Sequence, residues 1–167
     1  MTATRVTSFG SLSRFLPKLL IATAWASSLA GATVAYAAGA TFERDGAAIS
    51  GYDAVAYFRE NQPRQGSKDF SARHEGATYL FSSAANRDIF AAQPDKYAPQ
   101  FGGYCAYGAS RGYKAATDPK AFTITGDKLY LNYNQQVQDP WRADMPALLK
   151  KAEAQWQQVS KTEKVYE

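Results

Sequence analysis

The chain has 167 residues, 46% hydrophobic, 14% aromatic and 20% charged, with 19 basic residues against 15 acidic ones. That is a globular composition, outside the range of disordered, collagen-like or coiled-coil chains. A single cysteine and a single histidine exclude an internal disulfide, and any zinc cage of four cysteines or of two cysteines and two histidines.

Residues 1–37 carry Arg5, Arg14 and Lys18 and no acid, and the stretch from Leu19 to Val34 is apolar and uncharged. Ala35-Tyr36-Ala37 then places small residues at the two positions a signal peptidase reads. This is the pattern of a secretory signal peptide cleaved near Ala37, so the mature chain is expected in the periplasm or outside the cell. The competing reading is a retained anchor. The apolar stretch is shorter than the ~20 residues a spanning helix needs and is diluted by Ser27, Ser28 and Gly31, so no membrane span is expected after cleavage. Without residues 1–37 the net charge of +4 falls close to neutrality. A near-neutral domain has no electrostatic footprint for a phosphate backbone, and no nucleic-acid partner is expected.

Residues 38–48 (AGATFERDGAA) read as a flexible leader, and 49–159 as the folded domain. Asp53, after Ile49-Ser50-Gly51-Tyr52, is a natural N-cap for AVAYF, with its carboxylate accepting from Val55 or Ala56. Phe70–His74 and Ala77–Phe81 flank Glu75-Gly76 as a hairpin, with Phe70, Ala72, Tyr79 and Phe81 on one face and His74 at its end. Ser82 or Ser83 caps a helix from Ala84 to about Gln93, and Pro94 starts a short turn through Tyr97. A second hairpin, Ala121–Thr125 with Lys128–Asn132, turns at Gly126-Asp127. Glycine at its first loop position suits a type II′ turn. After a loop marked by Pro140, the residues Met145, Leu148 or Leu149, Ala152, Trp156 and Val159 recur at the spacing of an amphipathic helix. Residues 160–167 read as a frayed tail. Hairpins and short helices in mixed order give a small single α+β domain.

The candidate chemistry centres on Phe101-Gly102-Gly103-Tyr104-Cys105-Ala106-Tyr107-Gly108. Glycines at this density permit positive φ and close backbone approach. One reading makes Cys105 a small buried hydrophobe in a tight turn. The other makes it a metal ligand or redox group at a pocket surface, since an unpaired thiol in an exported protein is unusual. His74 reads either as a solvated hairpin residue or as a ligand, and Asp53 either as a cap or as a ligand. The 11 tyrosines are expected mostly to fill the core. No Ser/His/Asp arrangement, phosphate-cradling glycine loop or C-x-x-C motif occurs, so no complete enzyme active site is evident.

The runs GYDAVAYF (51–58) and GATYLFSSAANRDIFAAQPDKYAPQFGGYCAYG (76–108), followed by LYLNYN and a tryptophan segment, resemble the YHS-domain family over about residues 49–159. The resemblance is closest to the exported bacterial type, some members of which carry selenocysteine at the cysteine of GGYC. It implies a treble-clef or TRASH-like core and a role in heavy-metal handling. It also implies that Tyr52, Gly102, Gly103 and Tyr104 are the motif residues around the site. The metal-binding members have cysteines in a Y-x-F-C-S-x-x-C pattern, where this chain has Tyr79-Leu80-Phe81-Ser82-Ser83-Ala84-Ala85-Asn86, without a thiol. The thiolate cage is therefore not carried over, whereas GGYC is.

These readings favour a periplasmic, non-enzymatic module for a soft transition metal, copper or zinc, held by Cys105 with His74 and Asp53. Its partner would be the metal ion or a periplasmic metal-handling protein. The alternatives are a redox protein acting through Cys105, with Arg111 or Lys114 supplying positive field and rapid alkylation near neutral pH as its mark, and a structural or protein-interaction module with no metal.

Overall fold

Three two-residue turns organise the strands. Asp45-Gly46, Glu75-Gly76 and Gly126-Asp127 all have positive φ at both positions, the pattern of type I′ turns, whose twist matches that of paired antiparallel strands. They close the hairpins β1–β2 (Glu43–Arg44, Ala47–Ala48), β3–β4 (Ser67–His74, Ala77–Phe81) and β6–β7 (Asp118–Thr125, Lys128–Asn132). The expected type II′ turn at Gly126 is thus corrected, because Asp127 also takes a φ of 55°, a conformation aspartate tolerates. The computed structural model describes Thr2 and residues 40–167, the latter within the compact unit Val34–Glu167. The expected signal peptide at 1–37 lies outside the described residues, Thr2 apart.

In β6–β7, Phe122 lies opposite Leu131, Thr123 opposite Tyr130 and Ile124 opposite Leu129. In β3–β4, Ala72 faces Tyr79 and His74 faces Ala77, but a bulge between Ser67 and Ser71 pairs Phe81 with Ser67, so Phe70 and Phe81 are not opposed. The remaining strands are β5 (Lys114–Ala115) and β8 (Val165–Tyr166), which run parallel to each other.

Six helices connect these strands: α1 (Ala54–Glu60), α2 (Ala84–Ala92), α3 (Pro94–Tyr97), α4 (Ala106–Ser110), α5 (Gln135–Ala143) and α6 (Met145–Val159). Asp53 caps α1 by accepting from Val55 and Ala56, and Ser83 caps α2 by accepting from Asn86. Pro140 lies inside α5, not in a loop. Asn134 caps that helix at Val137, and the buried Trp141 and Gln138 hold it in place, so packing overrides the missing N–H of the proline.

Two clusters of buried residues share β7. Leu129 and Leu131 face Val55, Tyr57, Tyr79, Phe81 and Phe90. Tyr130, pointing the other way, joins Phe101, Ala106, Trp141, Leu148 and Ala152. Side chains alternate across a strand, so a single β7 serves both. A third, smaller cluster holds Phe42, Tyr104 and Ala116, with Trp156 and Val165 against it.

That last cluster corrects both expected ends of the domain. From residue 40 onward the leader is built in: Phe42, Ala47 and Ala48 are buried, and the Phe42 N–H donates to the Gly102 carbonyl at 2.8 Å. The tail does not fray, because Val165 packs on the cluster and the Ala116 N–H donates to the Tyr166 carbonyl at 2.8 Å. Single apolar residues, Phe42 and Val165, anchor both ends, below the length at which periodicity is visible.

Candidate functional site

Gly102 sets up the turn that presents Cys105. Phe101, Gly102 and Gly103 all have positive φ, and a Cβ on Gly102 would sit 2.1 Å from the Ala40 carbonyl oxygen. No side chain fits there. The chain then extends through Tyr104 and Cys105 before entering α4, so the motif is a left-handed turn followed by a short helix. The backbone of Cys105 is fixed from two sides: its N–H donates to Ala115 at 3.0 Å, and its carbonyl accepts from Ala109 at 2.9 Å.

Two N–H groups face the sulfur of Cys105. The Gly108 N–H donates to Sγ at 3.5 Å, and the Asn132 side-chain amide donates at 3.9 Å. Asn132 is fully buried, and its Oδ1 has no hydrogen-bond partner. Cys105 itself is 2% exposed, yet it contributes to the wall of a pocket of about 570 Å³. The other walls are Tyr107, Tyr113, Ala115, Tyr133, Val137, Tyr166 and Glu167. Tyr113, Tyr133 and Tyr166 are 36%, 40% and 47% exposed, and they are the exposed large hydrophobic side chains of the described residues. All three line this one pocket. Tyr113 and Tyr166 meet at 64° with ring centroids 5.0 Å apart. Burial first, and then the nearby Cys105, hold the Tyr113 hydroxyl above the usual tyrosine range, so it stays a neutral phenol at physiological pH.

Glu167 and Tyr133 also line a neighbouring recess of about 500 Å³, with Arg44, Ser50, Tyr52 and Asp118. Glu167 Oε2 pairs there with Arg44 at 2.8 Å across half-exposed side chains. Of the motif residues, Tyr52 therefore belongs to this second recess. Tyr104 is buried, with Phe42 against its ring and the Lys114 ammonium 5.0 Å from its centroid. Burial holds the Lys114 pKa below its usual range. Arg111 stands 4.9 Å over Tyr107 and donates to its hydroxyl. Neither cation lines the Cys105 pocket.

The expected ligand set of Cys105, His74 and Asp53 is not assembled. His74 lies in a separate recess of about 300 Å³, its Nε2 3.3 Å from the exposed Asp95 carboxylate and its ring against Phe90 and Tyr79. Asp53 is fully buried, and its carboxylate is filled by donors. It accepts from the Val55 and Ala56 amides, from the Ser82 amide and hydroxyl at 2.9 and 2.6 Å, and from Asn86 Nδ2 at 2.7 Å. With its lone pairs taken, Asp53 ties the start of α1 to the turn between β4 and α2. Among the described residues no three His, Cys, Asp or Glu side chains gather in metal-ligating geometry. Cys105 and Glu167 line one pocket together.

The sequence reading missed Asn132 and the tyrosine walls. Tyr113, Tyr133 and Tyr166 look like core residues in composition, and their convergence depends on β5 meeting β8, a pairing of distant two-residue strands. The one available signal was Tyr133, which continues the LYLNYN run beyond the end of β7. Compared with known proteins, the chain matches no family model, no curated protein and no solved structure.

Proposed function

We propose that this chain is an exported YHS-type module, built on a treble-clef-like core, whose working group is the Cys105 thiol. It acts as a single-sulfur site toward an external partner. The observation that carries this reading is the position of Sγ, in the wall of a roomy, tyrosine-lined pocket with two N–H donors directed at it. With one cysteine in the chain, any disulfide must form with an outside molecule. The Cys105 thiolate attacks a disulfide of the partner, one S–S bond forms as another breaks, and the partner's second sulfur leaves as a thiolate. The N–H donors are placed to stabilise negative charge on Sγ before the bond forms.

A second reading, soft-metal capture, is favoured by Glu167 sharing the pocket with Cys105. A thiolate and a carboxylate leave at least one position for a donor from a partner molecule, and sulfur selects Cu(I) or Zn(II) over Mg or Ca. One experiment separates the readings. The native protein is treated with iodoacetamide near neutral pH and followed by intact mass, beside a titration with Cu(I), in wild type and Cys105→Ser. The thiol reading expects single alkylation of the native wild type, and it fails if Cys105 is modified only after denaturation. The metal reading expects stoichiometric Cu(I) uptake that Cys105→Ser abolishes, and it fails if the two proteins take up copper alike.

A further inference from the structure

The walls of the Cys105 pocket carry an inference that does not depend on the thiol. Its lining contains four tyrosines, one carboxylate and no basic residue. A tyrosine ring presents a negative face, and several such faces around a cavity attract a cation with little hydration to lose. A neutral aromatic ligand would be served equally well by phenylalanine or leucine walls. The feature particular to this pocket is that four tyrosine rings and an acidic residue line it together, and both favour positive charge. From this geometry we propose that the pocket is an aromatic box for a small organic cation of the quaternary-ammonium class, walled by Tyr113, Tyr133 and Tyr166, with Glu167 as the counter-charge.

Several observations support it. The exposed large hydrophobic side chains of the described residues all line this pocket, with Tyr133 at its border with the neighbouring recess, a concentration that marks ligand-binding surfaces. The 64° angle between the Tyr113 and Tyr166 rings gives two inclined walls instead of a flat stack. The chain's own cations already use two rings of this cluster from outside the pocket: Lys164 Nζ stands 4.3 Å from the Tyr166 centroid, and Arg111 stands over Tyr107. Tyr113 and Tyr133 have no lysine or arginine over their rings among the described residues. The Arg44 pair engages Glu167 through Oε2 in the neighbouring recess, and such an exposed pair is weak enough to rearrange around a bound cation. The cavity lies within the size range of small-molecule sites.

The test is a calorimetric titration of the full chain with choline and with its uncharged carbon analogue, 3,3-dimethyl-1-butanol. Choline is expected to bind saturably, and the analogue at least about 5-fold more weakly. Tyr133→Ala and Tyr166→Ala should each weaken choline by about 5- to 30-fold. Both side chains are exposed, so these variants keep the fold. Choline binding is read on the wild type and the two tyrosine variants, all of which keep Cys105, so its outcome is separate from the alkylation result that decides the thiol reading. Equal binding of choline and the analogue, no saturable choline binding in the millimolar range, or unchanged choline binding in both alanine variants would overturn the proposal.

Discussion

At the scale of single residues, two buried polar side chains in this protein have different roles. Asp53 is satisfied throughout, its two carboxylate oxygens receiving donors from α1, from Ser82 and from Asn86. Asn132 is left with an unpartnered oxygen beside the only thiol. The first arrangement is structural. Removing Asp53 would take the acceptor from five donors, of which those of Val55, Ala56 and Asn86 are buried, and each buried donor without a partner costs about 1–3 kcal/mol. Asp53→Ala is therefore expected to lower the unfolding free energy by about 3 kcal/mol or more in urea, whereas Asp53→Asn, keeping one acceptor oxygen, should lie between the two. An alanine variant within about 0.5 kcal/mol of wild type would show that water replaces the carboxylate. The capping role of Asp53 was legible in the sequence because an N-cap needs only neighbours two and three residues on. Its bonds to Ser82 and Asn86 were not, since they span 29 and 33 residues.

The same division by sequence distance holds for whole elements. The β3–β4 and β6–β7 hairpins, α2 and the amphipathic α6 were readable because each is specified by local alternation, a turn dipeptide or a cap. The parallel β5–β8 pair was not. Two residues carry no periodicity, and parallel strands that distant in sequence announce nothing to one another. Its loss from the sequence reading concealed the pocket, because Ala115 and Tyr166 are walls that this pairing brings together. Of the candidate site, the GGYC turn and its thiol were legible, while the tyrosine box was not. The helix α5 was obscured by Pro140, an exposed residue sitting five positions after the helix's first residue, Gln135. At that depth a proline removes a hydrogen bond that an alanine would make, although alanine also gives the unfolded chain more freedom. The balance favours the helix. Pro140→Ala is expected to stabilise the protein by about 1–2 kcal/mol, raising the thermal midpoint by a few degrees. A lower midpoint would mean that the proline's fixed φ contributes more than the bond it forgoes.

At the scale of the described domain, the clusters on the two faces of β7 are rich in buried tyrosine, and this ties stability to alkaline pH. Tyr57 is fully buried, with its hydroxyl donating to the Pro119 carbonyl at 2.9 Å, and Tyr79 is 2% exposed. Burial is the largest cause that pushes both hydroxyls far above the ordinary tyrosine value. Tyr130, on the opposite face of β7, is shifted in the same direction by burial and by Glu153. In the unfolded chain these groups ionise near pH 10, so above that pH the folded state holds protons that the unfolded state has lost. Stability then falls as pH rises, by about 1.4 kcal/mol per pH unit for each such tyrosine. Below pH 10 both states hold these protons, and the tyrosines add no slope. The expected behaviour is a stability independent of these groups from neutral pH to about 10, followed by a steep loss that unfolds the domain over the next one to two units. Urea unfolding at pH 9, 10 and 11 measures the slope directly, and Tyr79→Phe should reduce it above pH 10 by about one proton's worth while keeping the ring in the core. An unchanged slope in that variant would mean that Tyr79 ionises in place, reached by water through its hairpin, and that the cluster on that face of β7 is less dry than its packing implies.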